Sequence, residues 1–126
     1  MEERLRLLVE RLLDEGKGLV VGVAISSREG LPIMHVLPED IDPEKFSAAT
    51  TAIISVVNSF LKESCGEEIK RVDVEMGNGK HLIVNPVGEC VLAVLTEERP
   101  SLGLIYLLIK RYCRELEDML GERLIE

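Results

Sequence analysis

The chain has 126 residues, enough for one domain to bury a core without disulfides or bound metals. Its formal net charge of −8 disfavours binding to nucleic acid or to anionic lipid, because both repel a negative surface. No apolar run approaches the roughly 20 residues needed to cross a bilayer, and residues 1–16 form a charged amphipathic segment rather than a signal peptide. We therefore expect a single cytoplasmic domain over residues 1–126, without membrane insertion.

The cysteines indicate a reducing compartment. Cys65, Cys90 and Cys113 are odd in number and have no C-x-x-C spacing, so we expect buried thiols rather than disulfides or a zinc site. The chain also lacks Gln and Trp and is rich in Glu, Lys and Arg, a composition weakly typical of thermophiles.

The N-terminal part predicts a helix followed by a hairpin. Apolar residues recur at helical spacing over Glu2–Glu15, and Gly16 follows where a C-cap glycine belongs. The apolar runs Leu19–Ile25 and Leu31–Val36 are separated by the turn sequence 27–30, as in a β-hairpin.

The remainder predicts a helix, three strands and a closing helix. Asp42 followed by Pro43 is a strong helix start, because Asp caps free backbone N–H groups and Pro at the first position loses no needed donor. The predicted bounds are 43–63 for this helix, 70–76, 81–85 and 90–96 for the strands, and 102–120 for the last helix.

Strand composition predicts the order of the sheet. Leu19–Ile25 and Cys90–Leu95 are continuously apolar, as in central strands covered on both faces, whereas 70–76 alternates and belongs at an edge. Pro32 cannot donate to a ladder, which places the second strand at the other edge. The predicted fold is α+β, with three layers, element order αββαβββα and an antiparallel sheet of order 2-1-5-4-3.

The sequence contains no recognisable catalytic motif. Gly77-Asn78-Gly79-Lys80 lacks the earlier glycine and the following Ser or Thr of a phosphate-binding loop, so it is interpreted as a hairpin turn. His35 and His81 have no metal-ligand spacing and are expected to be solvated. The basic strip Lys110, Arg111 and Arg114 on the last helix is interpreted as a solvated face in preference to an anion or partner site. We predict no catalytic residue, no cofactor and no metal.

The second helix carries two stripes. One is apolar and is predicted to face the core; it comprises Phe46, Ala49, Ile53, Val57, Phe60 and Leu61. The other consists of small residues, which allow a second helix to approach closely, with Thr51 and Asn58 able to bond across the contact. The strand 70–76 has neither Pro nor Gly, so its edge is free to pair with another chain. The predicted homodimer interface comprises Ala48, Thr51, Ala52, Ser55, Asn58, Ser59, Arg71, Val72, Asp73, Val74 and Glu75.

These patterns resemble the roadblock family, which includes dynein light chains and small regulators of Ras-like GTPases. The resemblance rests on "VVGVAISSREGLPIMH", "FSAATTAIISVVNSFLKE", "RVDVEMGNGKHLIVNPVGECVLAVLTEE" and "SLGLIYLLIKRYCRELEDML", in that order. It implies dimerisation through the second helix and third strand, and a Ras-like GTPase as partner. This chain departs from the family in having Ile105 and Tyr106 where a basic residue often follows Gly-Leu.

The resemblance leaves three functions open. The first is a non-enzymatic homodimer that regulates a Ras-like GTPase, with Arg28 at the hairpin turn as a possible partner contact. The second is a structural adaptor without effect on a nucleotide cycle. The third is a small-molecule sensor that uses a pocket beside the sheet.

Overall fold

The computed structural model describes residues 1–125, and the side chains of residues 1–122. Three helices and five strands follow the predicted order. Their bounds are α1 Glu2–Glu15, β1 Val20–Ser27, β2 Pro32–Val36, α2 Pro43–Cys65, β3 Val72–Glu75, β4 His81–Val87, β5 Cys90–Thr96 and α3 Leu102–Ile125.

The predicted sheet order is confirmed. The five strands are hydrogen-bonded in the order β2-β1-β5-β4-β3, and every neighbouring pair is antiparallel. β5 is buried along its whole length and β1 along most of its own, as continuous apolar runs at the centre of a sheet require. The sheet therefore has two edge strands, β2 and β3.

Two layers of helix cover the sheet unequally. α1 and α3 lie on one face, over a large apolar cluster that includes Leu8, Ile83, Leu92 and Tyr112. α2 lies on the other face, where the buried apolar cluster is only Ile54, Val84, Val91 and Ala93. Because hydrophobic burial scales at roughly 25 cal/mol per Å² of apolar surface, the α1/α3 face supplies most of the stabilisation.

Caps fix both ends of α2. The Asp42 Oδ1 atom accepts a hydrogen bond from the Glu44 backbone N–H at 2.9 Å, and Pro43 occupies the first turn. At the other end Gly66 adopts φ 68°, the left-handed conformation that glycine adopts without steric cost. The start predicted from Asp42-Pro43 is confirmed, and the helix runs two residues beyond the predicted Glu63.

The prediction for the core face of α2 was wrong. Its buried residues are Ser47, Thr50, Thr51 and Ile54, whereas Ala49, Val57 and Phe60 are exposed. The polar groups beneath the helix satisfy one another: the Ser26 hydroxyl donates to the Ser47 hydroxyl at 2.7 Å. Phe46 is half-buried and packs against the small cluster, so the apolar stripe is exposed only in part.

Two single-residue expectations also require correction, those for Cys65 and His81. Cys65 is exposed, whereas Cys90 is buried and Cys113 is partly buried. His81 is buried rather than solvated, because β4 begins there and its side chain shares the α3 face of the sheet with Ile83. His35 on β2 is exposed, as predicted.

The small cluster under α2 predicts a sensitive position. Replacing Ile54, which is fully buried, with Ala should lower the free energy of unfolding by about 2–5 kcal/mol, because buried apolar surface is lost and a cavity is left. The control Leu104→Ala, at an exposed position of α3, should change it by about 0.5 kcal/mol or less. Urea unfolding measures both. Equal effects would contradict the burial assigned to α2.

Candidate functional site

The outward surface of α2 carries the most exposed apolar side chains of the helix. Val56 is 71% exposed, Phe60 63% and Val57 37%, and Ile53 beside them is half-buried. We call these four residues the apolar flank. Phe46 shares its side of the helix, since residues 46, 53, 57 and 60 are separated by whole helical turns. An exposed phenylalanine is notable in a chain with only two, and such clusters mark interaction surfaces.

The small residues form a second stripe along α2, which adjoins Val56 and which we call the small-residue flank: Ala48, Ala52, Ser55 and Ser59. All four are exposed. The β1–β2 turn abuts this side, because a Cβ placed on Gly30 would lie 3.0 Å from the Thr51 hydroxyl oxygen and 3.5 Å from the Ala48 Cα.

Arg28 lies beside the small-residue flank. Its Nε donates to the Gly88 carbonyl at 3.0 Å, which anchors the exposed side chain across the mouth of a 390 Å³ cavity. Ser55 and Ser59 line the same cavity, together with Lys62 and Glu68, which form an ion pair of 3.0 Å. The structure thus brings the predicted partner contact and half of the predicted small stripe into one polar site.

Two predicted interface side chains make bonds within the chain. The Thr51 hydroxyl is buried and donates to the Ser47 carbonyl at 2.8 Å. The Asn58 Oδ1 accepts from the Ile69 backbone N–H at 2.9 Å, which fixes the connection between α2 and β3. The Asn58 amide N–H groups take no part in this bond, so the contact of Asn58 across a dimer remains a prediction.

The β3 edge is open. β3 pairs with β4 from Val72↔Val84 to Glu75↔His81 and with no other described strand, so its outer backbone groups remain available to another chain. Val72 and Val74 face the α2 side, where Val74 is 38% exposed. The predicted edge residues therefore extend the apolar flank of α2 onto the sheet.

The other face of β3 is held to α3 by a polar network that the sequence did not predict. Asp73 accepts from the Tyr106 hydroxyl and lies 2.6 Å from the His81 Nδ1. The Arg71 guanidinium lies over the Tyr106 ring at 3.9 Å from its centre, within cation–π range. The sequence feature that could have indicated this network is Tyr106, which, with Ile105, stands where a basic residue often follows Gly-Leu in the family that the sequence resembles.

The bonds of Asp73 join β3 to His81 of β4 and to Tyr106 of α3. Hydrogen bonding to Asp73 and then burial raise the pKa of Tyr106 above 10.0, so its hydroxyl stays protonated at neutral pH.

In the part of the chain whose side chains are described, no group of three or more His, Cys, Asp or Glu residues could hold a metal ion. No described helix is both long and apolar enough to cross a membrane.

Sequence comparison identifies a family and relatives of nearly the same length. The sequence profile of the Roadblock/LC7 domain family matches residues 6–96. An uncharacterized protein of Methanocaldococcus jannaschii is 30% identical over 114 residues, covering 90% of this chain and 96% of the relative.

Comparison with solved structures shows the same fold. MglB from Myxococcus xanthus superposes with a TM-score of 0.88 at 22% identity, covering 97% of this chain and 91% of MglB. An MglB structure with a tetrameric arrangement has a TM-score of 0.82 at 19% identity, covering 95% of this chain and 90% of that protein. At these identities the likeness establishes the fold alone.

The Tyr106–Asp73 bond predicts a pH-dependent contribution to stability. Because the pKa of Tyr106 is raised on folding, its contribution is present below pH 10 and is lost as the pH rises through the folded-state value. The stability difference between the unmodified protein and Tyr106→Phe should therefore shrink in alkaline solution. Urea unfolding at neutral and alkaline pH measures it; parallel stability curves would contradict the bond.

Proposed function

Because the chain belongs to the Roadblock/LC7 domain family, we propose that it is a non-enzymatic homodimeric platform that binds and regulates a Ras-like GTPase. The observation that carries the proposal is the exposed apolar flank of α2 beside the open β3 edge. Regulation of such GTPases is what the roadblock resemblance implies, and no cofactor or metal is required for it.

The apolar flank supports self-association. Exposed side chains such as Val56 and Phe60 each recover about 1.5–3 kcal/mol when fully buried, which favours covering them. A second copy related by a two-fold axis presents the same surface, so α2 would pack on α2 and β3 would pair with β3. Both contacts can form together, because α2 and the Val74 side chain lie on the same face of the sheet.

The small-residue flank supports the partner contact. In such a dimer it remains uncovered on both protomers, with Arg28 beside it. A single asymmetric partner can use the two-fold surface only by contacting the protomers unequally, so we expect a complex of two chains with one GTPase. The apolar flank and β3 form the dimer in this proposal, which moves the interface away from the small stripe favoured by the sequence.

Nucleotide dependence follows from the partner. Switch segments of Ras-like GTPases order around the γ-phosphate, so a platform that contacts them binds the GTP form more tightly. Stimulation of hydrolysis would come from ordering groups that the GTPase already owns rather than from a donated arginine. Arg28 supports this choice, since its Nε is engaged by Gly88. A nucleotide-independent partner is what the adaptor function predicts instead.

The first prediction tests the dimer. Phe60→Arg should convert a dimer to a monomer, because burying an unpaired charge in an apolar contact costs several kcal/mol. The matched control Ser59→Arg, at the adjacent exposed position on the other flank, should leave the dimer intact. Light scattering measures the mass at tens of micromolar. A monomeric unmodified protein would refute self-association, and dimer loss only in Ser59→Arg would assign the interface to the small stripe.

The second prediction tests the GTPase. The purified Ras-like GTPase of the same organism should bind the GTP-loaded form more tightly and hydrolyse GTP faster with this protein. Arg28→Ala should retain most of the stimulation, whereas Phe60→Arg should abolish it by removing the two-fold surface. Ala52→Arg, which places a long charged group at an exposed position of the small-residue flank, should abolish stimulation while the dimer persists.

The nucleotide controls separate the alternatives. Equal binding to the GTP and GDP forms without a change in hydrolysis would contradict regulation and leave the adaptor function. Full loss of stimulation in Arg28→Ala, with binding retained, would assign a donated arginine and contradict the ordering mechanism.

A further inference from the structure

A groove on the α3 face of the sheet includes Arg71 and Tyr106 of the network described above, but it is separate from both flanks of α2. It has a volume of 480 Å³ and lies between α3, the end of β4 and the segment that leads into β3. Its basic residues are Lys70, Arg71, Lys110 and Arg114. Its volume falls within the range of about 300–1,000 Å³ typical of small-molecule sites.

The cations around this groove are uncompensated. Glu117 is the one acidic residue among those that line it. None of the four cations forms an ion pair with a described side chain. Elsewhere on this face the cations are neutralised, since Arg11 pairs with Glu115 and Arg111 with Glu15. A concentration of positive charge in a chain of net charge −8 creates a local attraction for anions.

The floor of the groove is apolar. Pro86, Val87 and Ile109 line it, and Leu107, which is 68% exposed, forms part of its rim. Burial, followed by the charge of Glu117, raises the pKa of Cys113 to about 12, so this thiol is neutral and adds to the apolar lining. A ligand that fits must therefore combine an anionic group with an apolar body.

We propose that the groove binds a small amphipathic anion, in which a phosphate or carboxylate group contacts the cations and an apolar chain or ring lies against Leu107 and Val87. A head with a single phosphate or carboxylate group suits the site, because Glu117 and the overall negative field oppose a ligand with several such groups. The groove lies on the face of the sheet opposite α2, so the proposal stands whether or not the platform function is correct.

The test uses hexyl phosphate as the probe in calorimetric titrations of the full chain. Binding should be saturable, and inorganic phosphate and hexanol should each bind about tenfold or more weakly, because each supplies only half of the recognised chemistry. Hexylammonium should not bind. Vesicles containing phosphatidic acid distinguish a lipid headgroup from a soluble anion, and we expect the soluble anion to bind without them.

Two pairs of variants locate the site. Lys110→Glu should weaken hexyl phosphate binding about tenfold, whereas Lys45→Glu, the same charge change on exposed α2, should change it less than about twofold. Leu107→Ser should weaken binding, whereas Leu104→Ser, one turn away, exposed and outside the groove, should not. Unchanged unfolding midpoints confirm that the variants are folded.

Several outcomes would overturn the proposal. These are absence of saturable binding, equal weakening by Lys45→Glu, equal affinity for inorganic phosphate, or binding to the vesicles alone. The first removes the site, the second assigns the effect to net charge, the third removes the apolar component, and the fourth replaces a small anion with a membrane surface.

Discussion

The pairing of β1 with β5 is the interaction on which the remaining structure depends. The two strands pair from Val20↔Thr96 to Ser27↔Cys90 and are covered on both faces, so every helix packs, directly or through β4, on this central ladder. The ladder brings the first third of the chain against the last third. Long-range antiparallel pairing of this kind forms slowly.

The two faces of the sheet are packed by helices to different extents, and this difference explains which surfaces remain exposed. α1 and α3 enclose a deep core, and ion pairs such as Arg11–Glu115 join their outer sides. α2 instead rests on a few residues around Ile54 and on buried hydroxyls. Its apolar side chains Val56, Val57 and Phe60 therefore remain exposed. The cations that form no ion pair lie in the groove beside α3.

The sequence predicted the elements and the sheet order, because period and turn chemistry are local properties. It failed on α2, where the apolar residues have helical spacing yet face solvent, and where Ser47 and Thr50 lie against the sheet. Periodicity identifies a stripe but not what covers it. It also missed the burial of His81, since that depends on Asp73 and Tyr106 from two other elements. The groove could not be predicted for the same reason, because Lys70 and Lys110 are far apart in the sequence and line the same groove only in the folded chain.

The proline at the start of β2 limits how far assembly can proceed. Pro32 lies on the edge opposite β3, and the β1–β2 register shifts beside it between Ile25 and Ser26. Pro32 has no backbone N–H to donate, and the shifted register interrupts the regular ladder beside it. Both features disfavour the addition of another strand at the β2 edge. A chain with two competent edges could add copies head to tail without end, whereas one with a single competent edge saturates it in an isologous pair. In the dimer proposed above, strand addition would end at the β3–β3 pair instead of extending the five-stranded sheet into a fibre.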